Sequence, residues 1–247
     1  MALSKEEILK KVHEVPFWGH SIPLGNDIVT PGKVMDNLLT LERLQLPMTL
    51  KGKRILDIGA WDGYYSFECE KRGADDVVAI DNLYRMQRPD ETQYANLGSK
   101  GFQVAKEILN SKVKYYDMDV YDISEKNLNG KFDIVLFLGL LYHLKYPVLS
   151  FEKISNICKD VLIIESAYVK TFTSRPILEY AQGNTFNQDP TNWHIPNIPA
   201  IEGMARDAGF KKIEVLFKTP LNIKSLVGGI LGIKNPRYGR VILRATK

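Results

Sequence analysis

Cysteine is scarce in this sequence, with two residues among 247, and long apolar runs are lacking. Cys69 and Cys158 have no partner at metal-ligand spacing, so we expect two buried free thiols, with neither a disulfide scaffold nor a metal site. No stretch approaches the ~20 apolar residues that span a bilayer, and the first residues lack the basic-then-apolar order of a secretory signal. The sequence therefore predicts a cytoplasmic protein without a membrane segment or a bound metal.

Neither sign of charge dominates the chain, but the distribution of charge is uneven. Residues 201–247 contain ten Lys or Arg and three Asp or Glu, which leaves 23 and 26 of the totals of 33 and 29 for residues 1–200. A basic C-terminal segment suits a phosphate-bearing substrate or an RNA, and a solvated surface explains it equally well. The 45% hydrophobic and 25% charged residues are typical of a globular domain, so a disordered or fibrous chain is excluded.

Short apolar runs alternate with helical patterns, which is typical of a parallel sheet covered by helices on both faces. The predicted fold class is α/β, a doubly wound, Rossmann-like protein with a seven-stranded, mostly parallel sheet. Residues 1–50 are predicted to form an N-terminal helical cap, residues 51–247 a cofactor-binding domain, and residues 166–200 a lid inserted in that domain. The strands are predicted at Arg54–Gly59, Val77–Asp81, Val113–Asp119, Phe132–Gly139, Asp160–Glu165, Lys212–Phe217 and Gly239–Ala245.

A glycine turn follows the first strand directly, in the sequence Asp57-Ile-Gly-Ala-Trp-Asp-Gly-Tyr64. Such a turn lets the backbone approach a ligand closely at the carboxyl edge of a parallel sheet. A dinucleotide fingerprint that starts at Gly59 requires glycine where Trp61 and Tyr64 stand, so a nicotinamide cofactor is excluded. The remaining pattern, an acid two residues before the first glycine, suits a ligand with an amine and a carboxylate. S-adenosylmethionine is such a ligand.

Two further strands end in acidic residues. Asp81 ends the second strand, where its carboxylate can accept hydrogen bonds from both ribose hydroxyls, and Asn82 follows it. Asp119 ends the third strand and precedes Val120, a pair that suits the amino group and the ring edge of an adenine. Three acids at the tips of successive parallel strands, beside a glycine turn, predict a binding site for S-adenosylmethionine.

The motifs resemble those of the class I S-adenosylmethionine-dependent methyltransferases over about residues 50–247. The segments that carry this resemblance are Ile55–Phe67, Val78–Asp81, Met118–Val120 and Phe132–Leu144. The chain also resembles, more narrowly, the group of the tRNA wobble-uridine carboxymethyltransferases and related small-molecule methyltransferases. That likeness rests on Phe17–Ile22, Thr30–Gly32, Leu141–His143 and Trp193–Pro196. One departure is Trp61, because most class I enzymes have glycine there.

The resemblance implies a set of cofactor-binding residues around the strand tips. The positive sulfur of the methyl donor favours aromatic faces, so Tyr142 is the first candidate for this contact and Trp18 the second. Trp61 is expected to fill space beside the methionine moiety. The predicted cofactor-binding residues are Trp18, Asp57, Gly59, Ala60, Trp61, Gly63, Tyr64, Asp81, Asn82, Asp119, Val120, Leu138, Gly139 and Tyr142.

A hydroxyl or amide acceptor must lose a proton, and histidine suits that step near neutral pH. His20 in the cap and His143 at the tip of the fourth strand are the predicted bases, and Tyr142 is the third predicted catalytic residue. The predicted acceptor-binding residues are Tyr168, Trp193, His194 and Arg240. The lid aromatics are expected to enclose a compact acceptor, although ordinary packing explains them equally well; they are Tyr168, Phe172, Tyr180, Phe186 and Trp193.

Glu14 bears on the choice between ordinary and carboxylated S-adenosylmethionine. The resemblance implies that the carboxymethyltransferases read the extra carboxylate with a lysine and with an arginine of the last strand. Glu14 stands at the position of the lysine, and only Arg240 matches its counterpart, the arginine. We therefore expect plain methyl transfer to a small polar acceptor, such as the hydroxyl of a sugar, a nucleotide-linked compound or a surface-glycan precursor. Two alternatives stay open: a tRNA wobble-uridine (carboxy)methyltransferase, with RNA as the partner, and a cofactor-binding protein without turnover.

Overall fold

The structure is a computed structural model that describes residues 3–32, 37–82, 99–220 and 237–247. The chain divides into two compact units. The first unit comprises residues 1–122 and 132–134, and the second comprises residues 123–131 and 135–247. Residues 1–50, the predicted cap, therefore belong to the same unit as the first three predicted strands. Within the described ranges, no helix has the length and apolar character that a bilayer span requires.

Helices and strands alternate along the first unit. Its helices are α1 (Lys5–His13), α2 (Asn37–Leu44), α3 (Tyr64–Lys71) and α4 (Lys100–Leu109). Its strands are β1 (Pro23–Gly25), β2 (Ile28–Val29), β3 (Arg54–Ile58), β4 (Asp76–Asp81) and β5 (Lys114–Asp117), and β5 leads into a 3₁₀ turn at Val120–Asp122.

The second unit continues the alternation from β6 (Phe132–Leu138), whose first residues belong to the first unit. A 3₁₀ turn at Leu141–His143 follows β6. The helices are α5 (Pro147–Ile157) and α6 (Ile198–Asp207). The remaining strands are β7 (Cys158–Val169), β8 (Leu178–Tyr180), β9 (His194–Pro196), β10 (Lys212–Lys218) and β11 (Tyr238–Thr246).

The described strands form a seven-stranded sheet in the order β10-β11-β7-β6-β3-β4-β5. Strands β3, β4 and β5 pair in parallel, whereas β11 pairs antiparallel with both β7 and β10. The predicted doubly wound, mostly parallel α/β fold is confirmed. The predicted strand boundaries agree with the observed ones to within two residues, except that β7 continues from the predicted end at Glu165 to Val169. Residues 166–169 pair with residues 238–241 of β11, so the first part of the predicted lid is strand.

Two short hairpins lie outside the predicted strands. Strands β1 and β2 pair antiparallel around Asn26 and Asp27, which have φ of 52° and 60°. Asparagine and aspartate tolerate this left-handed conformation, and it is the conformation that a tight hairpin turn requires. Strands β8 and β9 also pair antiparallel, so the segment predicted as a lid contains a small sheet.

Local sequence signals account for several helix boundaries. At the start of α1, Ser4 and Glu7 form a capping box, in which each side chain accepts a hydrogen bond from the backbone amide of the other residue. Pro147 starts α5 at a position where a missing N–H costs nothing. Asn197 caps α6, and its Oδ1 also accepts the amide of Ile177. This capping residue therefore fixes part of the predicted lid against the start of α6.

Candidate functional site

The glycine turn between β3 and α3 is closed by backbone hydrogen bonds. The amides of Gly59 and Ala60 donate to the carbonyl oxygen of Ile80 at 2.9 and 3.1 Å, and the amide of Gly63 donates to that of Ala60 at 2.8 Å. Gly59 and Gly63 have φ of 77° and 87°, in the left-handed region that favours glycine. A Cβ atom on Gly63 would lie 2.6 Å from the ring of Phe102. Both the conformation and the packing therefore require glycine at this position.

Asp81, the last residue of β4, lies beside this turn and has one carboxylate oxygen without a partner. Its side chain is buried, and Oδ2 accepts a hydrogen bond from the amide of Trp61 at 2.6 Å. The other oxygen, Oδ1, is buried and has no hydrogen-bond partner among the described residues. Buried polar atoms are nearly always hydrogen-bonded. An unpaired acceptor at the tip of β4 fits a ligand that brings hydroxyl donors, as the ribose of the predicted cofactor does.

Asp57, inside the neighbouring strand β3, is paired within the protein. Its Oδ2 accepts a hydrogen bond from Oγ of Ser66 at 2.6 Å, which ties β3 to α3. Burial raises the pKa of Asp57 to about 6, against the opposing effect of the Ser66 hydrogen bond. Burial likewise raises the pKa of Asp81 to about 7, and the amide of Trp61 opposes it. A direct contact of Asp57 with the cofactor stays a prediction.

We expect the protein without ligand to lose stability between pH 5 and pH 8. The pKa values of about 6 for Asp57 and about 7 for Asp81 lie above the unfolded value of about 4. The folded state thus holds these protons more tightly, and the stability that they contribute is complete below pH 4 and lost as the pH rises through 6 and 7. Urea unfolding at pH 5 and pH 8 measures the loss. Asp81→Asn, which does not titrate, should reduce it, and an equal loss in this variant would contradict the effect assigned to Asp81.

Asp62, which the sequence analysis did not single out, joins the N-terminal segment to the glycine turn. Its Oδ2 accepts hydrogen bonds from the amides of Gly19 and His20 at 2.9 and 2.8 Å, and its Oδ1 accepts one from Nδ1 of His20 at 2.6 Å. Both side chains are buried, with 2% of Asp62 and 6% of His20 exposed. The ring of His20 also stacks on Tyr64 at 5.5 Å between centroids. The predicted base His20 is therefore brought to the turn but is enclosed by protein.

Two tryptophans predicted to contact the cofactor pack within the first unit. Trp61 adopts φ of 49° and stacks on Phe17, with 5.7 Å between ring centroids. A Cβ atom on Gly19 would lie 2.6 Å from the Trp61 ring, so only glycine at this position leaves room for the ring. Trp18 is 1% exposed, and its indole N–H donates to the carbonyl oxygen of Val12 at 3.1 Å. The geometry favours a packing role for both, and their contacts with the cofactor stay predictions.

The remaining predicted cofactor residues of the first unit follow β4 and β5. Asn82 is the residue after Asp81. Strand β5 ends two residues before Asp119, whose Oδ1 accepts the amide of Tyr121 at 3.0 Å. Val120 is buried in the 3₁₀ turn. Asp81 ends β4 as predicted, whereas β5 ends at Asp117, so Asp119 lies two residues beyond the strand and does not end it. The adenine contacts stay predictions.

The second unit holds an ion pair beside the end of β6, where Leu138 and Gly139 are located. Arg240 binds both carboxylate oxygens of Glu165, from Nε to Oε1 and from Nη2 to Oε2, each at 2.5 Å. Its Nη1 donates to the hydroxyl oxygen of Tyr142 at 3.0 Å. Gly139 has φ of 70°, and its amide donates to the carbonyl oxygen of Glu165 at 3.0 Å. The charge of Arg240 is therefore already neutralised by a buried carboxylate.

His143 follows Tyr142 and takes part in a short hydrogen-bond chain. Its Nδ1 lies 2.8 Å from Oγ1 of Thr191, and this hydroxyl donates to Oδ1 of Asp189 at 2.6 Å. The ring of His143 is half-buried and lies 4.4 Å from that of Tyr142 between centroids. Burial lowers the pKa of His143, and the charge of Asp189 opposes this effect. Thr191 and Asp189 were not among the predicted residues.

The predicted lid aromatics fall into two sets. Tyr168 and Phe186 are 5% and 3% exposed, and the Tyr168 hydroxyl donates to the carbonyl oxygen of Thr219 at 2.8 Å. Packing explains these two residues. Phe172 and Tyr180, by contrast, are 81% and 57% exposed. Phe172 and Tyr180 are therefore accessible to a ligand. Among the lid aromatics, the predicted binding of an acceptor rests on these two residues and on Trp193.

Trp193 and His194 fix the end of the lid segment to the 3₁₀ turn after β6. The amide of Trp193 donates to the carbonyl oxygen of Tyr142 at 2.8 Å. Nδ1 of His194 lies 3.3 Å from the carbonyl oxygen of Leu144. Lys145 places its Nζ 5.2 Å from the centroid of the Trp193 indole. These contacts locate both residues beside Tyr142 and His143, and their predicted acceptor roles stay predictions.

The sheet, the glycine turn and the acids near the strand ends together define a class of protein. Among the residues that the structure describes, no group of three or more His, Cys, Asp or Glu side chains is arranged to hold a metal ion. A doubly wound sheet with a glycine turn after β3 and acids after the neighbouring strands is the architecture of a Rossmann-like protein that binds a nucleoside-containing ligand. The model of a methyltransferase domain matches residues 31–215, and the chain belongs to this methyltransferase family. The predicted family is confirmed.

Curated relatives carry methyltransferase names, and solved structures share the fold. A tRNA U34 carboxymethyltransferase of Pseudomonas fluorescens (strain Pf0-1) is 27% identical over 176 residues, which cover 69% of this chain and 49% of the relative. The chain thus spans about half the length of that protein. The N-terminal domain of EvdMO1, crystallised in the presence of SAH and D-fucose, shares the fold with a TM-score of 0.63 at 16% identity, over 99% of this chain and 97% of that chain. The [4+2]-cyclase SpnF also shares the fold, with a TM-score of 0.58 at 16% identity, over 97% of this chain and 92% of that chain.

Proposed function

We propose that the chain is an S-adenosylmethionine-dependent methyltransferase that methylates a hydroxyl group of a small polar acceptor. The observation that carries the cofactor is Asp81, whose buried Oδ1 has no hydrogen-bond partner in the described part of the chain. The ribose of S-adenosylmethionine supplies hydroxyl donors of the kind that this oxygen requires. Family membership points to the same cofactor.

The first-unit residues supply the binding and orientation. Asp81 would hold the ribose, and the backbone of the turn from Gly59 to Gly63 would lie against the amino-acid moiety. When bound, S-adenosylmethionine supplies a methyl group on a positively charged sulfur. The acceptor oxygen forms the new C–O bond as the C–S bond breaks, the sulfur keeps that electron pair, and the hydroxyl proton passes to a base. The protein must therefore align the acceptor and provide the base.

His143 is better placed than His20 to act as the general base. The ring of His20 is 6% exposed and is held by Asp62 between aromatic rings, which is the environment of a structural clamp. The ring of His143 is half-buried, and the structure shows no hydrogen bond from its Nε2 to any described residue. A base must reach the proton that it removes. We therefore propose that Nε2 of His143 accepts the proton from the acceptor hydroxyl, and that His20 has a structural role.

The charges favour plain S-adenosylmethionine over its carboxylated form. A carboxylate on the transferred group would need a cation, and Arg240 already pairs with both oxygens of Glu165. Glu14, which the resemblance places where the carboxymethyltransferases have a lysine, is an exposed acid. Binding a further carboxylate to Arg240 would disrupt the Arg240–Glu165 pair, and an uncompensated buried Glu165 is costly.

A tRNA wobble-uridine carboxymethyltransferase is the second candidate, because the curated relatives carry that name. The basic segment at 201–247 and the exposed aromatic side chains suit RNA phosphates and bases. The two functions differ in how binding responds to salt. Contacts with RNA phosphates weaken steeply as the salt concentration rises, whereas binding of a neutral sugar responds little.

One assay separates the candidates. The protein is given tritium-labelled S-adenosylmethionine with methyl glycosides, nucleotide-linked sugars or unmodified tRNA, and in parallel the carboxylated cofactor, at 50 and 300 mM salt. We expect methyl transfer to a sugar hydroxyl, little change with salt, and no use of the carboxylated cofactor. Salt-sensitive modification of tRNA, or preference for the carboxylated form, would favour the second candidate. Cofactor binding by calorimetry without any turnover would favour a binding protein.

A further inference from the structure

We propose that Thr191 and Asp189 are positioning residues that hold His143 as the Nδ1–H tautomer and keep Nε2 free to take a proton. This inference rests on the proposed function for its chemical meaning. The arrangement itself, a chain from Asp189 through Thr191 to His143, lies wholly within the second unit and is assigned by geometry alone.

The direction of each hydrogen bond follows from the number of hydrogens available. A carboxylate oxygen can only accept, so the 2.6 Å contact between Thr191 Oγ1 and Asp189 Oδ1 uses the single hydroxyl hydrogen of Thr191. Oγ1 then has only lone pairs to offer at its 2.8 Å contact with His143 Nδ1. The hydrogen of that contact must be on Nδ1. In a neutral imidazole only one nitrogen carries hydrogen, and Nε2 is therefore the basic nitrogen.

The hydrogen-bond chain from Asp189 to His143 is held in place at both ends by hydrogen bonds to backbone groups. Oδ1 of Asp189 also accepts the amide of Thr191 at 2.9 Å, which fixes the carboxylate against the hydroxyl. The carbonyl oxygen of Asp189 accepts Nδ2 of Asn192 at 2.8 Å. The amide of Trp193 donates to the carbonyl oxygen of Tyr142, the residue before His143. Thr191 is 8% exposed, so water competes little for its hydroxyl.

Burial favours a neutral His143 ring over the charged one. Burial lowers the pKa of His143, Asp189 and the contact with Thr191 raise it, and the charge of Arg240 lowers it. Tyr142 lies against the ring, and burial raises the pKa of its hydroxyl, so it adds no charge at neutral pH. The ring is therefore uncharged before the reaction and has a lone pair on Nε2 to receive a proton. Asp189, connected through Thr191, stabilises the cation that then forms.

Thr191→Val and Thr191→Ser test the chain. Valine has nearly the shape of threonine but cannot accept from Nδ1, so we expect the variant to lose the fixed tautomer and on the order of 10- to 100-fold in kcat. The KM for the acceptor and the dissociation constant for S-adenosylmethionine should stay within about twofold, because the interaction acts on the proton transfer. Serine keeps the hydroxyl, so Thr191→Ser should retain both the tautomer and most of kcat.

The tautomer is read independently of activity, by NMR of the full-length protein with ¹⁵N-labelled histidine and assignment by His143→Gln. We expect a proton on Nδ1 and none on Nε2 in the wild type and in Thr191→Ser, and a mixture or a reversal in Thr191→Val. A wild type with its proton on Nε2, or a Thr191→Val variant with unchanged kcat, would overturn the inference. If the wild type binds no S-adenosylmethionine, the proposed function fails, while the NMR result still decides the tautomer.

Discussion

Asp81→Ala is expected to weaken binding of S-adenosylmethionine by about 1–3 kcal/mol, or roughly 5- to 150-fold, which is the range for losing a buried charged acceptor. The reason is the geometry at the tip of β4, where Oδ2 accepts the Trp61 amide and Oδ1 has no partner among the described residues. Calorimetry with S-adenosylmethionine at pH 8 measures the effect. The same experiment with the product of methyl transfer, which retains the ribose, should give a similar loss.

The matched control for this experiment is Asp117→Ala. Asp117 pairs in register with Asp81 on the neighbouring strand and is exposed, so its removal should leave the affinity at pH 8 unchanged. The wild type should also bind more weakly below pH 7, because burial raises the pKa of Asp81 to about 7 and a protonated carboxyl group is a weaker hydrogen-bond acceptor than a carboxylate. Equal affinity of Asp81→Ala and the wild type at pH 8 would show that the ribose does not bind Asp81.

Asp62→Ala is expected to destabilise the protein by roughly 3–5 kcal/mol, because it removes the acceptor of three buried hydrogen bonds at once. The amides of Gly19 and His20 and the imidazole Nδ1 of His20 all donate to this carboxylate. Losing them frees the N-terminal segment from the glycine turn. Urea unfolding at fixed pH without ligand measures the change in the free energy of unfolding.

Asp62→Asn separates the charge of this side chain from its role as an acceptor. The amide oxygen of asparagine can still accept from the backbone, so we expect a smaller loss than for alanine. Asp207→Ala, at the exposed end of α6, serves as the surface control and should change stability by less than about 0.5 kcal/mol. If Asp62→Ala were as mild as the surface control, the clamp role of His20 and Asp62 would be wrong.

The main sheet could be predicted from the sequence because most of its strands contain an apolar run bounded by turn residues or charges. Where prediction fell short, the missing information was pairing between distant segments. The continuation of β7 to Val169 depends on β11, some 70 residues away. The hairpin of β1 and β2 had a local signal in Asn26 and Asp27, but strands of two or three residues carry too little pattern to be recognised.

In the candidate site, too, residues with a local sequence signal could be predicted, and residues whose roles depend on distant partners could not. The glycine turn and Asp81 could be found because turn glycines and strand-end acids occupy fixed places along a parallel sheet. Asp62 and Thr191 could not, because their roles are set by histidines 42 and 48 positions away in sequence. Asp62 had a weak signal as an acid inside the turn. Thr191 and Asp189 had none, since a hydrogen-bond chain leaves no spacing pattern.

A crystal structure of the protein with S-adenosylmethionine tests the central claim most directly. The account predicts that the ligand lies along the turn from Gly59 to Gly63, with a ribose hydroxyl within 3.2 Å of Asp81 Oδ1. The position of the Trp61 amide on Oδ2 should not change. A ligand bound elsewhere, or a ribose that leaves Oδ1 without a hydrogen bond, would contradict the account.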